Sequence, residues 1–256
     1  MSQSQLRLLA RQLRLGPKYV KVKKTLVRGV RRFTWHGQDV TCPCCQSAAK
    51  RFRPSGHCAF CDSQPRQRFL ALYFQRRLAK GDAILHFAPE PCLRGFLCRE
   101  VKGLRYVSSD LQSPHADVHV DLSHPQDAKK ALGTGQYSVI IASHIMEHIP
   151  NDVAAMRLFA ELLRPDGYCV LQVPMNRTPF TYEDWTITTP EGRLAAFGQE
   201  DHVRVYGSDF AQRLESVGFQ VEKLDPTASY SPDEQRRFGL EQDTTYICRI
   251  PAAATS

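Results

Sequence analysis

The sequence contains no apolar run that approaches the length of about 20 residues needed to cross a lipid bilayer. The apolar stretch nearest the amino terminus, Leu6 to Ala10, is short and interrupted by arginine, so it does not predict the core of a signal peptide. Nine cysteines without such a signal are typical of a reducing compartment and of metal binding, not of disulfide bonds. We therefore expect a cytoplasmic protein without a transmembrane segment.

Acidic residues are also absent from the first 38 positions, although ten Lys and Arg side chains lie between Arg7 and Arg32. Residues 1–80 hold 18 Lys and Arg against two acids, whereas residues 81–256 hold 16 against 24. A basic block of this kind favours a polyanionic partner such as RNA, an anionic membrane surface or an acidic glycan. The alternative is a solvated basic segment that packs against the acidic remainder of the chain.

Four cysteines form two C-x2-C pairs separated by 12 residues, and they are Cys42, Cys45, Cys58 and Cys61. Each pair can place two thiolates on one side of a tight turn, and two such turns complete a tetrahedron around Zn²⁺. The apolar core of so short a segment is inadequate, so the metal would supply much of its folding energy. Cys44 and His57 are alternative ligands. Because four protein ligands leave no position for water, we predict a structural zinc.

The stretch from 137 to 174 has the pattern of a βαβ unit, which predicts a parallel sheet with helices on its faces. It reads as a buried strand (Tyr137 to Ala142), a polar loop, an amphipathic helix (about Asn151 to Leu163) and a second buried strand (Tyr168 to Val173). Open α/β sheets bind ligands where the parallel strands end. The polar residues that follow the first strand are Ser143, His144, Glu147 and His148.

The Glu147-His148 pair and the turn Leu162 to Gly167 resemble the class I S-adenosylmethionine-dependent methyltransferases, in particular the type 11 group. The similarity extends in order from about Ala83 to Ile250. It implies an α/β fold with a Rossmann-like, seven-stranded, mostly parallel sheet and helices on both faces, preceded here by the small zinc ribbon. The seven strands expected are 83–87, 104–109, 116–120, 137–142, 168–173, 220–224 and 244–250.

The resemblance also implies an S-adenosylmethionine site at the strand ends. The family's glycine-rich loop is missing, because Ala88, Glu90 and Cys92 stand at the glycine positions and His86 replaces an acid. A purely structural turn around two prolines is the alternative there. We expect Glu90 to accept from the cofactor's amino group, an acid at 110 to bind the ribose hydroxyls, and one at 121 to accept from the adenine. The candidate cofactor-binding residues are Ala88, Pro89, Glu90, Asp110, Asp121 and Ser143.

Methyl transfer to oxygen needs a base, and histidine suits that role, so His144 and His202 are the candidate catalytic residues. The structural alternative for each is a hydrogen-bonded histidine of the core. Residues 144–148 also match the metallopeptidase pattern H-x-x-E-H, which requires a helix that this context does not predict. Ubiquinone-pathway O-methyltransferases look similar here, which raises a divalent-ion site at His144, Glu147 and His148 as an alternative.

The sequence thus predicts five parts, namely a basic segment 1–36, a four-cysteine zinc ribbon 37–64, a connecting helix 65–80, a methyltransferase domain 81–250 and a disordered tail 251–256. The predicted activity is methylation of an oxygen or nitrogen atom of a small molecule or glycan. One alternative is an RNA methyltransferase that docks through the basic ribbon. The other is a non-catalytic binding module on a degenerate methyltransferase fold.

Overall fold

The computed structural model describes residues 34–100, 103–176 and 178–251. Most of the predicted basic segment 1–36 and of the predicted tail 251–256 lies outside the described residues. Among the described helices, none has the length and apolar character that a membrane span requires.

The described chain alternates short strands and helices. The strands are β1 (Val40–Thr41), β2 (Ala48–Ala49), β3 (Ala83–Phe87), β4 (Arg105–Ser109), β5 (Tyr137–Ser143), β6 (Leu163–Gln172), β7 (Tyr182–Glu183), β8 (Arg204–Val205), β9 (Gln220–Leu224) and β10 (Thr245–Arg249). The α-helices are α1 (Pro65–Gln75), α2 (Pro91–Glu100), α3 (Pro125–Leu132), α4 (Asp152–Leu162), α5 (Pro190–Phe197), α6 (Phe210–Glu215), α7 (Pro226–Ser229) and α8 (Pro232–Phe238). Six of these helices begin with proline, whose fixed φ and missing N–H suit the first helical position.

The main sheet has the strand order β4-β3-β5-β6-β10-β9. Strands β3, β4, β5 and β6 run parallel, whereas β10 is antiparallel to both of its neighbours. The predicted α/β class is confirmed as a mixed six-stranded sheet with helices. The predicted count of seven strands is wrong for the residues that the structure describes.

The strand that does not form is the one predicted at 116–120. This segment makes a single parallel bridge, between Val118 and Ser109 at the end of β4. The Asp117 carboxylate accepts from the backbone N–H of Ser108 at 2.8 Å and from its hydroxyl at 2.6 Å. The side chain of Asp117 therefore occupies a backbone donor that a regular ladder would use, and the pairing stops after one bridge.

Helices cover both faces of the sheet. Successive strand residues point to opposite sides, so each strand contributes apolar side chains to a core on either face. Leu85, Ile140 and Leu171 belong to a core that includes residues of α3, α4 and α6. Ile84 and Ile141 belong to a second core that includes residues of α1 and α2 together with buried cysteines of the ribbon. The cysteine-rich segment thus packs on one face of the sheet and shares its core.

The predicted βαβ unit is present as β5, α4 and β6. The Asn151 side chain accepts from the backbone N–H of Ala154 at 3.1 Å and caps α4. At Gly167 a Cβ atom would lie only 2.8 Å from the carbonyl oxygen of Tyr137, so the chain needs glycine where it passes the start of β5. The cap of α4 and the close approach at Gly167 thus help to fix the end of β5 and the loop after it.

Buried Arg204 anchors the segment 178–206 to that loop. Its guanidinium pairs with the Glu183 carboxylate on β7. It also donates to three backbone carbonyls of the loop after β5, those of Met146, Ile149 and Pro150. This network fixes the position of His202, two residues earlier, against the loop.

Candidate functional site

A cleft of about 400 Å³ opens at the carboxyl edge of the parallel strands. Its walls come from the ends of β3, β4 and β5 and from the loops that follow them. The volume lies within the range of small-molecule sites, and the position is where parallel α/β sheets bind their ligands. Three predicted cofactor-binding residues, Ala88, Asp110 and Asp121, line this cleft together with His144 and His148.

Two strands end at this cleft in a residue with left-handed backbone geometry. Ala88 follows β3 with φ 42°, and His144 follows β5 with φ 54°. Their N–H groups donate to the carbonyl oxygens of Ser109, at 2.7 Å, and Gln172, at 2.8 Å. A left-handed conformation costs a residue with a Cβ atom about 1 to 2 kcal/mol, and such strain concentrates at functional sites. At Ala88 the chain keeps the conformation that favours glycine, at a position where the resemblance expects one.

Asp110 and Asp121 hold fixed positions in the cleft wall. One oxygen of Asp110 accepts from the backbone N–H groups of Gln112 at 2.8 Å and Ser113 at 2.7 Å. One oxygen of Asp121 accepts from the backbone N–H of Ser123 at 2.8 Å, and this hydrogen bond lowers the pKa of Asp121. Each loop thus holds a carboxylate against the cleft, where it can accept hydrogen bonds from hydroxyl or amino groups of a ligand.

Three other predicted cofactor residues, Pro89, Glu90 and Ser143, are not among the described residues that line the cleft. The Ser143 hydroxyl donates to the side-chain oxygen of Gln172 at 3.1 Å. One oxygen of Glu90 accepts from a side-chain N–H of Gln67 at 3.0 Å, and the other lies 3.4 Å from Nε2 of His86. Burial alone would raise the pKa of Glu90, but His86 and Gln67 hold it below its usual value. One oxygen of Glu90 thus has Gln67 as a hydrogen-bond partner, whereas the other lies near His86 without a hydrogen bond among the described residues.

Glu147 lies among three histidines, and we call these four residues the Glu147 cluster. Nδ1 of His144 lies 3.6 Å and Nε2 of His202 lies 3.9 Å from the same carboxylate oxygen. The His148 and His202 rings meet edge to face with centroids 4.6 Å apart. Among the described residues, neither oxygen of the buried Glu147 carboxylate has a hydrogen-bond partner. The structure thus brings both predicted catalytic histidines to one carboxylate.

The protonation of this cluster follows from its contacts. Nδ1 of His202 lies 3.1 Å from the carbonyl oxygen of Phe197, which can only accept, so Nδ1 carries the proton. Nε2 then presents a lone pair towards Glu147, and two acceptors face each other. Burial raises the pKa of Glu147 to about 7 and lowers the pKa of His144 to about 4. At neutral pH His144 and His202, whose pKa values burial lowers, are therefore neutral beside a carboxyl group that gains or loses a proton readily.

Asp201 is a cleft residue that the sequence analysis did not single out. Its carboxylate lies 3.2 Å from Nδ1 of His148, and it lines the cleft. Its position directly before His202 was an available signal.

Residues Met146–His148 form a 3₁₀ turn after β5 in place of the α-helix that the metallopeptidase pattern requires. That alternative therefore lacks its structural context.

The four predicted zinc ligands lie together, with all Sγ atoms within 4.8 Å of one another. The Cys42 and Cys61 sulfurs are 3.6 Å apart, and those of Cys45 and Cys58 are 3.8 Å apart. Sulfur ligands about 2.3 Å from a tetrahedral ion would be about 3.8 Å apart, so the cluster has the spacing of a zinc site. The alternative ligands have other partners, because the Cys44 thiol donates to the Gln67 carbonyl and His57 contacts Ser55.

The two cysteine turns are near copies of each other, and we call them the knuckles Cys42–Ser47 and Cys58–Ser63. In each, the fifth residue donates its N–H to the carbonyl oxygen of the first cysteine, at 2.7 Å from Gln46 and 3.1 Å from Asp62. That fifth residue has left-handed geometry in both, with φ 59° and φ 68°. The matched turns explain how a short segment places four sulfurs in one tetrahedral arrangement.

Comparison with known proteins assigns the domain that carries the cleft. The sequence profile of a methyltransferase domain family matches residues 79–224, which is more than half of the chain. The chain belongs to the methyltransferase domain family. This membership confirms the predicted enzyme class, an S-adenosylmethionine-dependent methyltransferase.

Two curated relatives are similar over a smaller region. They are ubiquinone biosynthesis O-methyltransferases of Psychrobacter cryohalolentis and Psychrobacter arcticus, each 30% identical over 93 residues. The match covers 32% of this chain and 35% of each relative, so the chain spans about a third of the length of these relatives.

Solved structures of methyltransferases are also similar to this chain. An S-adenosylmethionine-dependent methyltransferase of Archaeoglobus fulgidus is 17% identical with a TM-score of 0.46, covering 72% of this chain and 90% of its own. The 1,6-didemethyltoxoflavin N1-methyltransferase of Burkholderia thailandensis is 14% identical with a TM-score of 0.47, covering 73% and 77%.

Proposed function

We propose that the protein transfers the methyl group of S-adenosylmethionine to an oxygen or nitrogen atom of a small molecule or glycan. The observation that carries this proposal is the cleft itself. It combines the glycine-like conformation of Ala88 with fixed carboxylates at Asp110 and Asp121, and it places His144 on the same wall. Three residues expected to bind the cofactor and the histidine expected to accept a proton therefore line the same cleft.

The reaction needs alignment and, for an oxygen acceptor, a proton acceptor. The acceptor atom forms a bond to the methyl carbon while the carbon–sulfur bond breaks, and S-adenosylhomocysteine leaves. The proton of the acceptor passes to a base beside the cleft. His144 fits this role because its Nδ1 faces the Glu147 carboxyl, which leaves Nε2 for the acceptor. The Nε2 lone pair of His202, buried behind this pair, is the second candidate.

Calorimetry of S-adenosylmethionine and S-adenosylhomocysteine on zinc-loaded protein tests the cofactor site. Asp110→Ala removes a carboxylate that would bind the ribose, so binding should weaken by about 1.5 to 3 kcal/mol, or roughly 10- to 150-fold. Asp127→Ala, on the exposed side of α3 and paired with Lys130, is the matched control and should leave binding unchanged. Equal affinity in all three proteins would contradict the assigned role of Asp110.

The same preparation tests the alternatives for the acceptor. Methyl transfer should be assayed with glycans, small phenols and amines, and RNA side by side. RNA binding that falls steeply with salt concentration, together with methylation of RNA, would replace the small-molecule proposal. A zinc-loaded protein that binds neither cofactor form would identify a non-catalytic module on this fold.

We also propose that the four clustered cysteines hold one structural zinc ion. The sulfur spacing and the two matched knuckles support this. When bound, the metal would stabilise the ribbon and its junction with α1 and would not take part in the reaction, since four sulfurs close its coordination. Elemental analysis should give one zinc per chain, and protein purified without chelator that contains no zinc would overturn the assignment.

The Glu147 cluster supports a second ligand proposal, a divalent cation. The sequence pattern suggested His144, Glu147 and His148 for this role, but the ligand atoms that converge within 4.8 Å belong to Glu147, His148 and His202. The unpartnered carboxylate oxygens and the unpartnered Nε2 of His202 are the observations that favour it. Methyl transfer that EDTA abolishes while zinc stays bound, and that Mg²⁺ or Mn²⁺ restores, would support this site. Full activity in EDTA would exclude it.

A further inference from the structure

Gln67 joins the cysteine ribbon to the loop that follows β3. It lies in the first turn of α1, six residues after the last cysteine of the cluster, and only 4% of it is exposed. Its backbone carbonyl accepts the Cys44 thiol at 3.4 Å. Its side-chain oxygen accepts from the backbone N–H of Gln64 at 2.7 Å, and its side-chain N–H donates to Glu90 at 3.0 Å. One side chain thus forms hydrogen bonds both to the backbone at the start of α1 and to the Glu90 carboxylate in the loop that follows β3.

From Glu90 the contacts continue to the cleft wall. The second Glu90 oxygen lies 3.4 Å from Nε2 of His86, which is fully buried in β3. The other ring nitrogen of His86 lies 2.9 Å from the hydroxyl of Tyr106 on β4. Ala88, which lines the cleft, stands midway in sequence between His86 and Glu90. The Glu90 carboxylate therefore lies beside His86 across the strained turn at Ala88, and Gln67 is its hydrogen-bond partner.

Helix α2 makes a second attachment between the same two regions. It begins directly after Glu90, and near its other end it reaches the first knuckle. Arg99 donates to the carbonyl oxygen of Cys44 at 2.9 Å, and the side chain of Gln46 donates to the Glu100 carboxylate at 2.8 Å. The knuckle is thus tied to the cofactor loop both through Gln67 and along α2.

We propose that Gln67 is a positioning residue through which metal binding by the cysteine cluster and cofactor binding at the cleft strengthen each other. The ribbon fixes the start of α1, α1 places the Gln67 amide, and the amide holds Glu90 and the turn at Ala88. Loss of the metal frees the start of α1, and the cofactor loop then has to be ordered by the ligand alone. Linkage requires the reciprocal effect, so a bound ligand makes the metal harder to remove. This inference rests on the proposed function.

Zinc transfer from the full zinc-loaded protein to a chromogenic chelator, with and without saturating S-adenosylhomocysteine, tests the coupling. In the native protein the ligand should strengthen zinc retention by about fivefold or more, the lower end of typical coupling between sites. In Gln67→Met, which keeps the length of the side chain but removes its side-chain hydrogen bonds, this factor should fall clearly below the native value, and the attachment along α2 accounts for what remains. Gln75→Met, exposed at the other end of the same helix, should behave as the native protein does.

The native protein alone provides a check that does not depend on any variant folding. Calorimetry on zinc-loaded and zinc-depleted protein should show S-adenosylhomocysteine affinity changing by the same factor as zinc retention. Ligand binding that leaves zinc retention unchanged, or an equal factor in Gln67→Met, would overturn the coupling while the proposed function stands. Failure of zinc-loaded native protein to bind the ligand would instead overturn the proposed function.

Discussion

The cysteine cluster and the Glu147 cluster each bring four polar side chains together, but they are built in opposite ways. The cysteines come from two copies of one short turn, so their geometry is set by neighbours in the sequence. The Glu147 cluster combines three residues of one loop with His202 from a separate segment, which Arg204 holds in place. The first arrangement is local, whereas the second exists only in the folded sheet.

The two clusters also differ in how their charge is balanced. Four thiolates in one cluster repel one another unless a cation lies between them, so the ribbon and the proposed zinc ion would form one folding unit. The Glu147 carboxyl is instead buried without a hydrogen-bond partner among the described residues, and the surrounding packing offsets that cost. A buried group with a strongly shifted pKa at a cleft is typical of a functional site. With the proposed zinc bound, the first cluster would stabilise the protein, whereas the second lowers its stability where chemistry is expected.

The largest effect should come from breaking the cysteine cluster. Cys45→Ser removes one of four ligands, and the protein should lose its zinc almost completely. Because the ribbon shares a core with α1 and α2, the loss of several kcal/mol should lower the thermal midpoint by on the order of 10 °C. Elemental analysis and a thermal melt on the same samples measure both changes.

Cys98→Ser is the matched control for that experiment. Cys98 is an exposed free thiol on α2, so its replacement should keep one zinc per chain and an unchanged midpoint. A Cys45→Ser protein that retains stoichiometric zinc would show that another thiol, such as Cys44, completes the site. That result would make the ribbon less locally determined than its two knuckles indicate.

A smaller effect, opposite in sign, is expected at the Glu147 cluster. The Glu147 carboxyl has a pKa of about 7 in the fold against 4.5 for the unperturbed group, and its side chain is 1% exposed. The unfolded chain releases the proton first as pH rises, so the native state loses stability between pH 4.5 and 7. The loss should reach about 3 kcal/mol above that range. Glu147→Gln should therefore stabilise the protein by up to that amount at pH 8 and by little at pH 4.5.

Urea unfolding of Glu147→Gln at the two pH values measures this difference, with exposed Glu215→Gln as a control that should show none. The same Glu147→Gln protein should lose methyl transfer, because His144 loses the carboxylate beside its Nδ1. Destabilisation at pH 8 would contradict the conclusion that the charge of Glu147 has no partner. It would indicate that a bound cation neutralises this charge in the native protein.

The comparison also explains which features the sequence could predict. The cysteine pairs and the βαβ unit follow from local spacing, and the structure brings the four sulfurs together and contains the unit as β5, α4 and β6. Asp110 follows β4 as the strand order predicts, and it lines the cleft together with Asp121, which the resemblance suggested. The strand expected at 116–120 failed because periodicity does not reveal that the side chain of Asp117 takes a backbone donor of Ser108. Patterns of apolar residues predict strands, but they do not show which hydrogen bonds side chains will intercept.

The environment of each site residue was harder to predict than its position. Glu90 stands at the expected end of β3, but its partners Gln67 and His86 come from an earlier helix and from within the strand. The unpaired state of Glu147 depends on how closely His202 approaches from another segment, since its Nε2 stays 3.9 Å from the carboxylate. Such relations join residues that are distant in sequence, so no local pattern carries them.

The smallest effect tests the backbone at Ala88, where glycine is missing but its geometry is kept. Ala88→Gly relieves a left-handed conformation that costs about 1 to 2 kcal/mol, and the greater freedom of glycine in the unfolded chain offsets roughly half of this. The variant should therefore be more stable by up to about 1 kcal/mol in urea unfolding. Ala195→Gly, at an exposed position inside α5, should lose about the same amount. If both substitutions destabilise the protein equally, the backbone at Ala88 is not strained. The edge of the sheet, and not a glycine-like turn, would then determine the shape of the cleft.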